Sequence, residues 1–385
     1  MAWKRAVFAL FTVAAGTNVP TPLLLVYQER LGLSAEVLTA LFGCYAAGLV
    51  PALLISGPLS DRLGRRRVAI PGIVLSALTS IAFAAAGDSV TLLFLARFAQ
   101  GVVSGVVFSV GSAWVGELSV ASGEGAGGRR AAVAMTAGFS LGPLTSGLLG
   151  QYAPAPTVLP YLIHVALVAV GLALALGLPE TVDLLPHPRP GDAPPTAVRL
   201  IRPGDGLLVA TVLAPVAICV YAFPAAMINA VPLLVDLPYG GVALTGVLAG
   251  VTLGAGTLVA GQQRRLGPWT AVVGSAAGAA GFVAATAFAL TGAWPWLVFA
   301  APLLGAGGGL CLAAGLTLTA RLAAPTRLGA LTSLFLACAY VGFAAPFAMA
   351  VAARATTAAV PLAAAAGLTA LLAVRLLPVA RARRL

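Results

Sequence analysis

Charge is what this chain has least of. Only 9% of its 385 residues are Asp, Glu, Lys or Arg, against about a quarter in an ordinary soluble domain. A water-soluble globular fold is therefore excluded. Acids are scarcer than bases, 11 against 22. The acids, Glu29, Glu36, Asp61, Asp88, Glu117, Glu124, Glu180, Asp183, Asp192, Asp205 and Asp236, all fall at the ends of apolar runs or between them. Histidine occurs twice, as His164 and His187, and no HExxH or phosphate-cradling glycine motif is present, so the convergent nucleophile, base or metal ligands of an enzyme are missing. No metal site or cofactor is expected. The four cysteines, Cys44, Cys219, Cys311 and Cys338, sit inside apolar runs without paired spacing and read as small core hydrophobes. No polar segment is long enough for a soluble signalling domain, which argues against a sensor.

What is present is oil: 60% apolar residues and a mean hydropathy of +1.01. A span needs roughly 20 mostly apolar residues to cross a hydrocarbon core about 30 Å thick. The chain offers twelve such runs, at 6–28, 35–57, 68–87, 89–114, 130–151, 157–178, 206–230, 241–261, 268–290, 295–319, 328–350 and 356–378. The first follows Lys4 and Arg5 and continues to Tyr27 without a convincing cleavage site, so it reads as a retained span rather than a leader. The net charge of +11 does not point to nucleic acid, because the arginines lie at span ends rather than on a soluble face. With twelve spans, every Lys and Arg except Arg30, Arg97 and Arg354 falls on the side of the N-terminus. The positive-inside rule then puts both termini in the cytoplasm, and the Ala, Gly, Arg and Pro richness suits a high-GC bacterium, hence its inner membrane.

Between the sixth and seventh runs lies a Pro-, Gly- and charge-rich stretch without apolar periodicity, read as a linker at 179–205. It divides a six-helix bundle at 1–178 from a second at 206–385. The halves echo each other weakly, as duplication would leave them. Leu38-Thr39 with Gly48 matches Leu244-Thr245 with Gly254, and Arg62-Leu63-Gly64 matches Arg265-Leu266-Gly267. The second copy keeps the basic turn but has no counterpart of Asp61. Positive charge alone suffices for topology, so Asp61 needs another reason to be there.

The stretch Gly57-Pro58-Leu59-Ser60-Asp61-Arg62-Leu63-Gly64-Arg65-Arg66-Arg67 reads as a water-exposed loop between spans 2 and 3. It resembles the signature of the major facilitator superfamily at that place. The resemblance implies a cytoplasmic gate built on Gly57, Asp61, Arg62, Gly64, Arg65 and Arg66. In it Asp61 is held by the amides and dipole at the start of helix 11, near Arg327. Arg97-Phe98-Ala99-Gln100-Gly101 in helix 4 resembles a second motif of the family. Independently, a charge at membrane depth costs at least about 2.5 to 3.5 kcal/mol on insertion scales, so Arg97 should face an aqueous cavity or a partner. Arg97, Gln100, Gly101, Ser104, Gly105 and Phe108 share one helical face, assigned here to a central cavity. The other reading is an arginine snorkelling to the outer interface. Gly138, Gly142, Pro143 and Gly147 in helix 5 resemble the family's antiporter motif, with Ser146 in place of a glycine. Their alternative reading is ordinary small-residue packing. Leu178-Pro179-Glu180-Thr181 also matches a short sequence common in the family.

The resemblance implies an all-α polytopic membrane protein: twelve transmembrane helices in two six-helix bundles with pseudo-twofold symmetry around a central cavity. It implies export of a small amphipathic organic molecule, a drug or secondary metabolite, by proton antiport with alternating access, in a monomer whose partners are substrate, protons and bilayer. Uptake or facilitated transport of a nutrient by the same fold is the alternative. Without a mid-span carboxylate, the candidate proton carriers are Glu36, Asp61 and His164, the last also readable as a core residue. Asn18, Tyr45, Tyr221, Asn229 and Tyr340 join Arg97, Gln100 and Ser104 as candidate cavity residues.

Overall fold

The computed structural model describes residues 2–122, 126–182, 206–237, 241–322 and 328–382. Among them there are helices and turns and no strand. Most of the 179–205 linker, together with Glu124, His187 and Arg327, lies outside the described residues.

Among the described residues, twelve helices are long and apolar enough to cross a membrane. In chain order they are α1 (Ala2–Leu31), α2 (Ala35–Leu63), α3 (Arg65–Ala85), α4 (Val90–Glu117), α5 (Ala126–Tyr152), α6 (Leu159–Leu176), α7 (Gly206–Leu234), α8 (Val242–Val259), α9 (Gly267–Thr291), α10 (Pro295–Thr319), α11 (Leu334–Arg354) and α12 (Ala359–Arg381). All twelve expected runs are thus helical. A backbone in hydrocarbon has no water to bond and must satisfy its own amides, which the helix does.

One compact unit comprises Met1–Pro188 with Tyr239–Gly250, and the other Arg189–Pro238 with Val251–Leu385. In the first, α4 packs along α2 and α3, while α1 packs on α4, α5 and α6. In the second, α9 packs on α10 and α12, and α10 and α11 flank α7.

Three helices depart from the regular ladder. α1 is two segments, Ala2–Thr17 and Pro20–Leu31. α7 carries two π-turns, Val209–Leu213 and Ala226–Ala230. α11 is interrupted by a 3₁₀ turn at Gly342–Ala344. Such breaks leave backbone carbonyls to be satisfied from elsewhere.

The expected loop at Gly57–Arg67 is not a loop. α2 continues through Asp61 and Arg62 to Leu63, and α3 begins at Arg65, leaving Gly64 alone between them. Gly64 has φ of 100°, a backbone state that a Cβ disfavours. Gly267, its match in the second half, also has positive φ, at 52°. Asp61 in the last turn of α2 and Arg65 at the start of α3 pair across this break.

Candidate functional site

Arg65 is a charged residue, yet only 6% of its surface is exposed. It opens α3, where its guanidinium meets the ends of α2 and α4. Its Nη1 donates to Ser60 Oγ at 2.6 Å and lies 2.5 Å from Asp61 Oδ1. Its Nε and Nη2 donate to Glu117 Oε1 at 3.0 and 2.8 Å. Glu117, the last residue of α4, also accepts from the Thr181 hydroxyl through Oε2. The cluster therefore holds one cation between two carboxylates, with hydroxyls satisfying the remaining positions, the condition under which a buried ion pair is tolerated.

A third carboxylate closes the site. Glu180 Oε1 accepts from the backbone N–H of Arg65 at 2.7 Å, and Oε2 from that of Arg66 at 3.0 Å. The first turn of a helix has unpaired donors and positive dipole, and Glu180 supplies the acceptor from another part of the chain. It also accepts from Thr181 and Val182 N–H groups at 2.9 and 3.3 Å. Burial alone would raise the Glu180 pKa, but these four amides outweigh it and hold the carboxyl below its ordinary value. Trp114 Nε1 donates to the Pro179 carbonyl at 3.1 Å, and Arg66 Nη1 to that of Leu178 at 3.4 Å. Residues 178–182 are thereby stitched onto the ends of α2, α3 and α4.

Asp61 itself is the exposed member, with 61% of its side chain open. Its expected partner at the start of helix 11 lies outside the described residues. Arg62 is exposed, and Gly57 and Gly64 are helical and turn positions of the same segment. Glu117, Glu180 and Thr181 were missed by sequence reasoning as members of this cluster. Glu117 was legible as an acid at a helix end, but nothing local says which helix end meets it.

The helix 4 motif meets α1 at its break. Pro20 has no N–H for the Gly16 carbonyl, and Pro22 none for that of Asn18. The Thr21 N–H turns to the Asn18 carbonyl at 3.1 Å, so Thr17 also loses its helical donor. Gly16 O keeps a 3.3 Å bond from the Val19 N–H, and helix 4 adds further donors. Gln100 Nε2 donates to Gly16 O at 2.7 Å, and Arg97 Nη1 donates to Thr17 O at 2.8 Å and to Gln100 Oε1 at 2.6 Å. The Ser104 hydroxyl lies 3.4 Å from that of Thr17. The Arg97 guanidinium also rests over the rings of Phe42 and Tyr45, at 5.3 and 4.8 Å. Arg97, Gln100 and Ser104 are 2%, 5% and 1% exposed. The face assigned to open cavity therefore lies against α1 and α2 of its own unit in this structure, because the carbonyls at the proline break accept these donors.

The helix 5 motif serves close approach. A side chain on Gly142 would overlap the Ala15 carbonyl of α1, and one on Gly147 would meet Gly246 of α8 at 2.8 Å. Pro143 lies inside α5 beside that contact, its carbonyl accepting from the Ser146 hydroxyl at 3.3 Å. Gly138 faces Phe11 and Ala14 of α1.

His164 is buried where α1, α3 and α6 meet. Its Nε2 lies 2.9 Å from the Thr12 carbonyl and must donate to it, leaving Nδ1, 2.7 Å away, to accept from the Ser80 hydroxyl in the neutral ring. Glu36 stands in the first turn of α2. Asn18 donates to the Phe139 carbonyl at 3.5 Å. In the second unit Asn229 is 1% exposed inside the second π-turn of α7; its Nδ2 donates to Ala225 O at 3.3 Å and its Oδ1 has no partner among the described residues. Tyr221 stacks on Tyr340 with centroids 4.7 Å apart, beside Phe343. The structure thus brings Asp61, Arg65 and Arg66 together with Glu117 and Glu180, and Arg97, Gln100, Ser104 and Tyr45 around the break in α1. Asn229 and the Tyr221–Tyr340 pair belong to the other unit.

The sequence model of the Major Facilitator Superfamily matches residues 6–345. The multidrug resistance protein MdtL of Shewanella oneidensis is 39% identical over 82 residues, 21% of this chain and 20% of that protein. The quinolone resistance protein NorA of Staphylococcus aureus is 25% identical over 144 residues, 37% of each chain. The matches thus span about a fifth and 37% of these curated relatives' lengths. A POT family transporter crystallised with 5-aminolevulinic acid superposes with a TM-score of 0.79 over 99% of this chain and 96% of its own, at 13% identity. The nucleoside transporter NupG gives 0.75 over 98% and 99%, also at 13% identity. These two likenesses concern the fold.

Three outcomes are expected. Glu117→Ala leaves a buried guanidinium without its two-pronged partner and should cost about 3 kcal/mol. Asp61→Asn removes an exposed partner and should cost about 1 kcal/mol or less; unfolding in detergent ranks the two, and equal losses would contradict the assigned geometry. For Glu180, whose folded pKa is depressed, the stabilisation is present above the unfolded value of about 4.3 and is lost as pH falls through the folded value. Glu180→Gln should accordingly be less stable at neutral pH and lose less between about pH 5 and 3 than the parent. Finally, Pro20→Ala returns an N–H to the Gly16 carbonyl, so Gln100→Ala should cost less in that background, with a coupling of about 1 kcal/mol in a double-mutant cycle. Additive losses would contradict the role given to Gln100.

Proposed function

Because the chain belongs to the Major Facilitator Superfamily, and is therefore a transporter and not an enzyme, we propose that it exports a small amphipathic organic molecule in exchange for protons. Export is supported by the names of its relatives, multidrug resistance for MdtL and quinolone resistance for NorA. The observation that carries the reading is the helix 5 run Gly138–Gly147. Its antiporter-type spacing coincides with backbone-level contact onto α1 and α8, where a side chain would hold the helices apart. Two six-helix halves, divided near the 179–205 segment, rock about a central site to expose it alternately to either side. The basic loops and both termini face the cytoplasm, the membrane is the bacterial inner one, and the monomer is the working unit.

In this reading the cluster around Arg65 is the inner gate. Asp61 is its exposed acid, free on its outer side to engage helix 11 when the gate shuts, while Glu117 and Glu180 keep Arg65 and the start of α3 in place. Arg97 biases the transporter towards neutral or anionic solutes, since it is an interior cation with no carboxylate within contact among the described residues. Tyr45, Tyr221, Tyr340, Asn18 and Asn229 supply aromatic and amide contacts for an amphipathic substrate. The proton carrier is drawn from Asp61, Glu36 and His164, because no acid stands at mid-span. Uptake of a nutrient is the competing reading within the same fold.

Proteoliposomes separate the two. With the lumen acidic relative to the bath, antiport drives a quinolone or similar amphiphile inward as protons leave, and a protonophore abolishes the accumulation. Accumulation only under the opposite gradient would establish symport instead. Asp61→Asn should insert normally and lose most transport, and Arg97→Ala should shift selectivity away from anionic compounds. Unchanged transport of every compound in either variant would remove the role assigned to that residue.

A further inference from the structure

The second half repeats the gate's turn but not its acids. Arg265-Leu266-Gly267 repeats Arg62-Leu63-Gly64, and both glycines have positive φ. Pro268 and Trp269 then stand where the first half has Arg65 and Arg66. The helix of α10 runs on to Leu322 and carries Arg321 in its last turn, whereas α4 closes on Glu117. The buried arginine, its carboxylate partner and Asp61 are therefore all absent from the repeat.

What occupies their place is an open groove of about 600 Å³, lined by Pro268, Trp269, Arg321, Ala380 and Arg381. The corresponding groove of the first half, about 590 Å³, includes Glu180 beside Arg62, Arg66 and Arg67. The second has two guanidiniums and no acid in its lining. Arg321 and Arg381 lie in the last turns of their helices, so the groove sits where span meets headgroup. Trp269 is 41% exposed, and an indole at that depth suits the interface. An apolar track leads away along α12, where Leu368, Leu371 and Val374, spaced three residues apart, are 70%, 64% and 61% exposed. A phosphate needs cations and acyl chains need an apolar track, and α12 carries both, Arg381 in its last turn and Val374, Leu371 and Leu368 in the turns before it.

We propose that this groove binds an anionic phospholipid, with the phosphodiester between Arg321 and Arg381, the glycerol region against Trp269 and one acyl chain along Leu371 and Val374. Free inorganic phosphate would use only the arginines. A protein partner would not need the track along α12.

Native mass spectrometry of the full-length protein with added phosphatidylglycerol or phosphatidylcholine tests this. The parent should retain one phosphatidylglycerol in preference to phosphatidylcholine. R321Q/R381Q should retain it about 30-fold less well, as two lost arginine contacts imply, whereas R321K/R381K, which keeps the charge, should retain most of it. In vesicles, brominated phosphatidylglycerol should quench tryptophan fluorescence more than brominated phosphatidylcholine, and W269F should remove most of that difference. Monodisperse elution of each variant establishes its fold. Equal retention of the two lipids, undiminished retention by R321Q/R381Q, displacement by millimolar inorganic phosphate, or W269F quenching equal to the parent's would overturn the proposal.

Discussion

A guanidinium withdrawn from water at the edge of a membrane destabilises a fold unless its charge and its donors are met, and Arg65 is met on every side. Asp61 and Ser60 come from the last turn of α2, Glu117 from the last turn of α4, and Glu180 bonds the amide of Arg65 itself. These contacts join the ends of separate elements, so the arginine fixes where α2, α3 and α4 end relative to one another and to residues 178–182. Gly64 makes this possible by turning the chain in one residue, which brings Asp61 and Arg65 within one helical pitch.

The other interior cation is handled without acid. Arg97 is satisfied by a carbonyl that the proline-broken α1 leaves without its helical partner, by Gln100, and by two aromatic faces. A neutral environment of dipoles and rings holds the guanidinium but leaves its net charge uncancelled. Breaking α1 at that depth also gives the helix a joint whose two sides are tied to α4 rather than to each other. The π-turns of α7, one of which contains Asn229, are the second unit's own irregularity at a helix interior.

Much of this was legible in the residues. Twelve apolar runs, the one-sided arginines and the family motifs specify the helices and the superfamily, because hydrocarbon imposes length and composition directly on the sequence. The glycine at 64 was also there to be read as a one-residue break between helices, although the density of charge around it suggested a longer loop. Glu117 and Glu180 were not legible as partners: each is an ordinary acid near a helix end, and only packing of α4 and α6 on α3 brings them to Arg65. The helix 4 face was correctly periodic, but periodicity cannot tell a cavity from a neighbouring helix whose broken ladder accepts outside donors. The proline pair in α1 was the available signal, since each proline breaks the regular ladder and shifts the neighbouring amides to other carbonyls.

Residues 178–182 are tied to the helix ends twice, by the Arg65 guanidinium through Glu117 to the Thr181 hydroxyl and by Glu180 on the backbone amides of Arg65 and Arg66. Hydrogen–deuterium exchange of the amides of Arg65 and Arg66, compared between the parent and Glu180→Ala, tests the second tie most directly. Exchange there should accelerate by at least about tenfold in the variant while α12 is unchanged. Equal protection in both proteins would contradict the tie.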